Sequence, residues 1–264
     1  MSTHHDTAHD TAHDTAGARP PFVLLHGGRH GGWCWQAVAR SLRAAGHEVH
    51  TPTLTGLGDR AHLRTREVGL DVHVEDLVAT FTYEDVHDAV LVAHSYGGMV
   101  TSGAMTRIAD RVRALVLVDA HLPRTGESVF DMIGPRRAAA MVALADDGGE
   151  GWYIPPAGAA RYGVTDPDDV AWVEARMTAQ PLKTYRDPVG DTDGASAHPT
   201  LFVECVPSSL EEHVLQRARA RAAQETDFDH VVRHWPHDAM VTDPEAVTAL
   251  LLEVASSPAH TVPR

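Results

Sequence analysis

Short apolar runs alternate with segments of helical periodicity along most of the chain. The apolar runs predict buried strands over residues 22–25, 47–51, 89–93, 112–120, 200–206 and 228–233. The periodic segments predict helices over residues 35–45, 72–81, 99–108, 210–224 and 244–256, the last with Asp243 as its N-cap. Continuous apolar strands that alternate with helices indicate an α/β fold, in which helices cover both faces of a mostly parallel sheet.

The strand pattern stops between residues 121 and 198. This segment contains two helical stretches, 128–145 and 167–177, and a loop at 151–156. This insertion follows a sheet strand and is rich in Met and aromatic residues, which predicts a helical cap that covers an active site. A satellite helical layer is the alternative. The predicted organisation is a core of residues 21–120 and 199–264 and a cap of residues 121–198.

Residues 1–20 differ in composition from the rest of the chain, with three copies of His-Asp-Thr-Ala between residues 5 and 16. No apolar residue larger than alanine lies between Thr3 and Pro20. Such a segment buries too little surface to offset its ordering entropy, which predicts a disordered tail. Weak binding of a transition metal is the alternative interpretation of its histidines, His4, His5, His9 and His13.

Composition excludes several classes of partner and mechanism. The 264 residues are 43% hydrophobic and carry a formal net charge of -14, which predicts one large domain that binds neither nucleic acid nor anionic membrane. Lys183 is the only lysine, which argues against most Schiff-base mechanisms. Cys34 and Cys205 suit neither a disulfide framework nor a zinc site, so we expect two small buried residues. Without an apolar segment of about 18 residues or a signal-peptide pattern, we expect a cytoplasmic protein.

Residues 93–97 read Ala-His-Ser-Tyr-Gly, between the strand at 89–93 and the helix at 99–108. A sharp strand-to-helix turn needs small residues two positions on either side of its apex, and Ala93 and Gly97 meet that need. The pattern predicts a nucleophile elbow with Ser95 at its apex, in an A-x-S-x-G variant of the usual G-x-S-x-G. A serine that only caps an ordinary helix is the alternative.

The first strand runs into a glycine-rich loop, His-Gly-Gly-Arg-His-Gly-Gly-Trp, at residues 26–33. A dinucleotide-binding loop would need G-x-G-x-x-G in register and an acidic residue at the end of the next strand, and both are missing. An oxyanion loop fits better, because residues without side chains let a substrate approach backbone N–H groups.

A serine at the elbow, an acid after a later strand and a histidine in the last loop form the chain order of alpha/beta-hydrolases. The histidine of the last loop is His237, and His234, three residues earlier, is the weaker alternative. The chain resembles the bacterial branch of that family, which includes plant methyl-salicylate esterases and hydroxynitrile lyases. Five segments carry this resemblance: HGGRHGGWCW, TPTLTGLGDR, AHSYGG, GWYIPP and PHDAM.

The resemblance implies roles for individual residues. Ser95 is expected to be the nucleophile, His237 its base, and the backbone N–H groups of Gly28 and Tyr96 the oxyanion hole. His30 and Trp33 are expected to fix the loop by packing. Hydroxynitrile lyases of this family place a lysine after the catalytic histidine, and here Asp238 takes that position, which argues against cyanohydrin cleavage.

The acid departs from the plant members, which carry an aspartate at the position of Ser208. Asp119, at the carboxyl end of the strand at 112–120, is the other place from which a carboxylate reaches the histidine. Asp119 is therefore the preferred acid. Glu204, Glu211 and Glu212 stay open as alternatives.

The resulting hypothesis is a serine carboxylesterase that cleaves an ester or lactone of an apolar small molecule through an acyl-enzyme, without cofactor or metal. A lyase or cyclase that uses the same Ser/His pair for proton transfer is the second hypothesis. A non-catalytic ligand-binding receptor on the same fold is the third. A homodimer is compatible with the sequence.

Overall fold

The computed structural model describes residues 19–258. The predicted disordered tail, residues 1–20, therefore lies outside the described residues apart from Arg19 and Pro20, and so do residues 259–264. No helix within the described range is long and apolar enough to cross a bilayer.

The elements follow the α/β alternation that the sequence predicts. In chain order the strands are β1 Phe22–Leu25, β2 Val49–His50, β3 Ala89–His94, β4 Val112–Val118, β5 Tyr153–Ile154, β6 Gln180–Pro181, β7 Thr200–Cys205 and β8 Phe228–Arg233. The α-helices are α1 Gln36–Ala44, α2 Leu70–Tyr83, α3 Gly97–Ile108, α4 Val129–Gly148, α5 Pro167–Glu174, α6 Lys183–Arg186, α7 Asp193–Ser196, α8 Glu212–Gln224, α9 Ala239–Thr242 and α10 Pro244–Ser256. Asp243 caps α10 as predicted, because its carboxylate accepts from the Ala246 N–H at 3.2 Å.

Six of the described strands form one sheet in the order β2-β1-β3-β4-β7-β8, and every neighbouring pair is parallel. Leu25 of β1 pairs with Ala93 of β3, which pairs with Leu117 of β4, so these three strands end at nearly the same level. The predicted fold class, a mostly parallel α/β sheet, is confirmed.

Side chains of alternating strand positions pack into two cores, one on each face of the sheet. Val90 and Val92 of β3 face α1 and α10, whereas Leu91 and Ala93 face α2, α3 and α8. Every residue of β3 is buried, which explains its continuous apolar sequence. Cys34 and Cys205 are free and buried, as predicted.

Between β4 and β7, residues 121–198 form the segment that we call the insert. It is richer in structure than its sequence pattern predicts, because β5 and β6 pair in antiparallel fashion and α6 and α7 follow them. Helix α4 kinks at Gly134, which lies directly before Pro135 and has non-helical dihedral angles, a φ of 76° and a ψ of 164°. A proline ring clashes with the preceding turn of a helix, so the helix changes direction there.

Several predicted boundaries are wrong by a few residues. The strand expected at 47–51 shrinks to Val49–His50, because the His47 N–H still bonds the Leu42 carbonyl at 3.1 Å and Pro52 has no N–H to extend the ladder. The helix expected at 167–177 ends at Glu174, and Thr178 just beyond it donates its N–H to the Arg29 carbonyl at 2.9 Å. The helix expected at 210–224 begins at Glu212.

Candidate active site

Ser95 lies at the turn between β3 and α3 with a φ of 52°, in the left-handed region that non-glycine residues rarely adopt. The turn is tight on both sides. A Cβ added to Gly98 would lie 2.0 Å from the His121 carbonyl oxygen, and one added to Gly27 would lie 2.9 Å from the Ser95 Cβ. These glycines therefore let the loop after β1 and the segment after β4 close around the serine.

His237 and Asp119 form a buried pair beside this turn. The His237 Nδ1–H donates to the Asp119 Oδ2 at 2.5 Å, and the two side chains are 4% and 0% exposed. Asp119 directly follows β4 and, like Ser95, has a positive φ, of 41°. Ser95 and His237 line the same cavity. The structure thus brings together the serine, the histidine and the acid that the sequence favours.

Two further donors hold the Asp119 carboxylate. The Ser208 hydroxyl donates to its Oδ1 at 2.5 Å, and the Ser209 N–H donates to its Oδ2 at 3.0 Å. Burial alone would raise the pKa of Asp119, but the bonds from His237, Ser208 and Ser209 outweigh it and lower that pKa below its usual value. The serine at the position of the plant aspartate therefore serves as a hydrogen-bond donor to an acid on the neighbouring strand.

The alternative acids and the alternative histidine lie elsewhere. Glu204 pairs with Arg219 and accepts from His230, while Glu211 pairs with Arg137 at 2.7 Å. Glu212 pairs with Arg219 at 2.9 Å. His234 is exposed and is not among the residues that line the cavity of Ser95.

The two predicted oxyanion donors come from different segments, one from the loop after β1 and one from the residue after Ser95. Among the described residues, the N–H groups of Gly28 and Tyr96 have no hydrogen-bond acceptor, whereas the Arg29 N–H donates to the Gln180 Oε1 at 2.8 Å. Gln180 belongs to the insert and is fully buried. The side chain of Tyr185, also from the insert, blocks the space beside Gly28, because a Cβ there would lie 2.3 Å from the Tyr185 Oη.

His30 and Asp238 anchor the same loop through a buried ion pair. The His30 Nε2 contacts the Asp238 Oδ2 at 2.9 Å, and its Nδ1 contacts the Gly28 carbonyl at 2.8 Å. Both partners are acceptors, so both ring nitrogens carry protons and His30 is an imidazolium. Burial lowers the pKa of His30, but Asp238 outweighs burial and raises it. His30 also stacks on Trp33 with 5.2 Å between ring centroids, the packing that the sequence predicts.

His94, next to the serine, is neutral and does not line the cavity of Ser95. Its Nε2–H donates to the His237 carbonyl at 3.0 Å, and burial followed by the nearby His237 holds its pKa well below the usual range. In the part of the chain that the structure describes, His94, His237 and Asp238 form one group with ligand atoms within 4.8 Å of one another. The side chains of His237 and Asp238 already contact Asp119 and His30, so we assign no metal to this group.

The cavity above Ser95, which we call the site cavity, has a volume of about 240 Å³. Its floor comes from the sheet and its walls come largely from the insert. The lining residues are Gly28, Arg29, Ser95, His121, Val129, Ile133, Arg137, Met141, Arg161, Tyr162, Tyr185, Ser209, Leu210 and His237. The wall therefore combines aliphatic and aromatic groups with three arginines.

A model of the alpha/beta hydrolase family matches residues 22–250, which is most of the chain. The chain belongs to the alpha/beta hydrolase family. A carbendazim hydrolyzing esterase of Nocardioides sp. (strain SG-4G) is 40% identical to this hydrolase over 184 residues, which cover 67% of this chain and 75% of that protein. Esterase PIR7B of Oryza sativa subsp. japonica is 30% identical over 263 residues and covers 89% of this chain and 95% of its own.

A solved structure supports the fold independently. An extracellular alpha/beta-hydrolase from a Paenibacillus species superposes with a TM-score of 0.77 at 19% identity, covering 90% of this hydrolase and 100% of that chain. The family and its esterase relatives make this hydrolase a carboxylesterase-type enzyme, rather than the receptor that the sequence left as an alternative.

Sequence reasoning did not find the residues of the insert that hold the site. Gln180, Tyr162 and Tyr185 come from a segment without a strand pattern, and their contacts with the loop after β1 join residues more than 130 positions apart. The sequence did contain a signal for the role of Asp238. Its carboxylate directly follows the predicted base, and the glycine-rich loop contains a histidine, His30, that could pair with it.

Proposed function

We propose that this hydrolase is a serine carboxylesterase that cleaves an ester or lactone of a small molecule with an apolar body. The observation that carries the proposal is the buried Asp119–His237 hydrogen bond beside Ser95, in a cavity that also receives the Gly28 backbone. A carboxylate on the Nδ1 of a histidine fixes the ring and stabilises its protonated form, which is what a general base for serine requires.

The reaction proceeds in two halves. The Ser95 oxygen attacks the ester carbonyl carbon while its proton passes to the His237 Nε2, and the oxyanion receives hydrogen bonds from the Gly28 and Tyr96 N–H groups. The C–O bond to the leaving group breaks, and the departing alkoxide takes the proton from His237. Water gives a proton to His237 and attacks the acyl carbon, the bond from that carbon to the Ser95 oxygen breaks, and His237 returns the proton to Ser95 as the acid product leaves.

Hydrolysis of p-nitrophenyl butyrate and of methyl aryl esters tests the proposal. Ser95→Ala is expected to lower kcat by about six orders of magnitude and to prevent a single adduct with a fluorophosphonate, seen by intact mass. Ser196→Ala is the matched control, because Ser196 is exposed on α7. An adduct on Ser95 without turnover of any ester would instead favour the lyase or cyclase that uses the same pair for proton transfer.

A further inference from the structure

Arg29, in the loop after β1, carries a buried guanidinium without a carboxylate partner among residues 19–258. Its side chain is 4% exposed. Its Nη1 donates to the Tyr162 Oη at 3.0 Å and its Nη2 to the Met141 Sδ at 3.4 Å, while its Nε has no partner. A guanidinium has five N–H donors, so most of them lack a strong acceptor. Burying such a charge is costly unless a counter-ion is present.

This guanidinium lies where two cavities meet. One is the site cavity, and the other is a groove of about 390 Å³ that includes Leu144, Pro155 and Pro156. Both are lined by Arg29, Arg137, Met141 and Arg161. No described aspartate or glutamate lines either cavity.

The balance of charge at this junction is positive. Arg137 is paired with Glu211 at 2.7 Å and also donates to the Ser209 carbonyl. Arg161 is exposed and, within the described part of the chain, has no hydrogen bond or ion pair from its side chain. Arg29 and Arg161 therefore have no carboxylate partner among the described residues, although the chain as a whole has a formal net charge of -14. The cationic character is local to the junction of the two cavities.

We propose that Arg29 and Arg161, with Arg137 beside them, form an anion subsite, so that the preferred substrate is an ester that carries a separate carboxylate. A carboxylate offers two coplanar oxygens that match the fork of a guanidinium. The apolar body of such a molecule contacts Val129, Ile133 and Leu210, which also line the site cavity. This inference rests on the proposed function, because the ester group must reach Ser95.

Two esters of matched shape test the subsite: monomethyl terephthalate, an anion at pH 7.5, and methyl 4-methylbenzoate, which is neutral. The wild type is expected to have the higher kcat/KM for the anion. The ratio of the two values is expected to fall about 10- to 100-fold in Arg29→Met and about 3- to 10-fold in Arg161→Gln, because charged hydrogen bonds are lost. Arg186→Gln, an exposed arginine outside both cavities, is expected to leave the ratio unchanged.

A binding measurement separates this inference from the proposed function. Calorimetry with Ser95→Ala is expected to show tighter binding of monomethyl terephthalate than of the neutral ester, and Arg161→Gln added to that variant is expected to reduce this preference about 3- to 10-fold. Equal binding of the two esters would overturn the subsite even if both are hydrolysed. Preferential binding of the anion by a protein that hydrolyses no ester would keep the subsite and overturn the esterase.

Arg161→Glu tests the subsite further if Arg29→Met does not fold, because reversed charge should favour the neutral ester.

Discussion

Asp119 receives three hydrogen bonds at one carboxylate, from His237, Ser208 and Ser209. The carboxylate that contacts His237 therefore lies at the end of β4, and not in the segment after β7 where the resemblance to plant members places it. A side chain at position 208 still reaches the same place, because its oxygen lies 2.5 Å from Asp119. Positions 119 and 208 are thus both close enough to supply a carboxylate to His237.

Exchange of these two residues is the sharpest test of the acid. Asp119→Asn is expected to lower kcat by about 1,000- to 10,000-fold, because the amide no longer stabilises the protonated histidine. The double variant Asp119→Ser with Ser208→Asp is expected to recover at least about tenfold over Asp119→Asn. Activity of the double variant no higher than that of Asp119→Asn would show that only the β4 position supports His237.

Ser208→Ala tests the donor separately. Loss of a hydrogen bond to a charged, fully buried carboxylate is expected to lower the free energy of unfolding by about 1.5–3 kcal/mol. Urea denaturation followed by tryptophan fluorescence measures the change. Ser196→Ala, on an exposed turn of α7, is the control and is expected to shift the value by less than about 0.5 kcal/mol. Equal stability of the two variants would contradict the role of Ser208.

At the scale of residues, the sequence predicted the side chains that sit at strand ends. Ser95 and Asp119 follow continuous apolar runs and His237 lies in the loop after β8, and parallel strands bring their carboxyl ends to one edge. It did not predict Gln180 or the protonation of His30. Those depend on contacts between distant segments, which neither periodicity nor a motif specifies.

At the scale of elements, the close approach of three strand ends determines where glycine is required. The backbone after β4 passes so near α3 that a Cβ on Gly98 would lie 2.0 Å from a carbonyl oxygen. A backbone atom cannot move aside as a flexible side chain does. The helix that follows the serine is therefore fixed against the segment that carries Asp119.

Gly98→Ala is expected to lower the free energy of unfolding by about 2–4 kcal/mol, because α3 must shift away from His121. The same shift moves Ser95, so esterase activity should fall with stability. Gly190→Ala is the matched control, since nothing lies within 4 Å of a Cβ at that position. A Gly98→Ala protein as stable as the control would show that the backbone here adjusts without strain.

Element boundaries were less predictable than element types. The sequence predicted one helix over 128–145, and the structure continues it to Gly148 through a kink at Gly134 and Pro135. Residues on both sides of this kink, including Ile133 and Met141, line the site cavity. A helical pattern alone does not reveal such a change of direction, although the Gly-Pro pair marks its position.

At the scale of the whole molecule, buried and half-buried neutral histidines couple stability to pH. Burial lowers the pKa of His26 to about 3, and of His73 and His121 to about 4, and it holds that of His94 well below its usual range. Between these values and the unfolded value of about 6.5, the unfolded chain binds protons that the native chain does not. Stability therefore decreases as pH falls through this window.

The expected result is a fall in the free energy of unfolding of about 1 kcal/mol or more per pH unit between pH 6.5 and 4.5. His30 acts above this window, because its raised pKa contributes stability that is present below 6.5 and is lost as pH rises through the folded value. Urea denaturation at pH 5.0, 6.0 and 7.0 measures the slope. A constant value over this range would contradict the neutral state of these histidines in the folded protein.

The Arg29 N–H of the loop after β1 donates to the side chain of Gln180, a residue of the insert. Because the insert supplies both this acceptor and Tyr185, which lies against Gly28, it shapes the loop that faces the serine. A chimera whose new insert lacks Gln180 and Tyr185 is therefore expected to change the loop after β1 as well as the pocket. Grafts that retain Gln180 and Tyr185 should keep their catalytic rate while changing their choice of substrate.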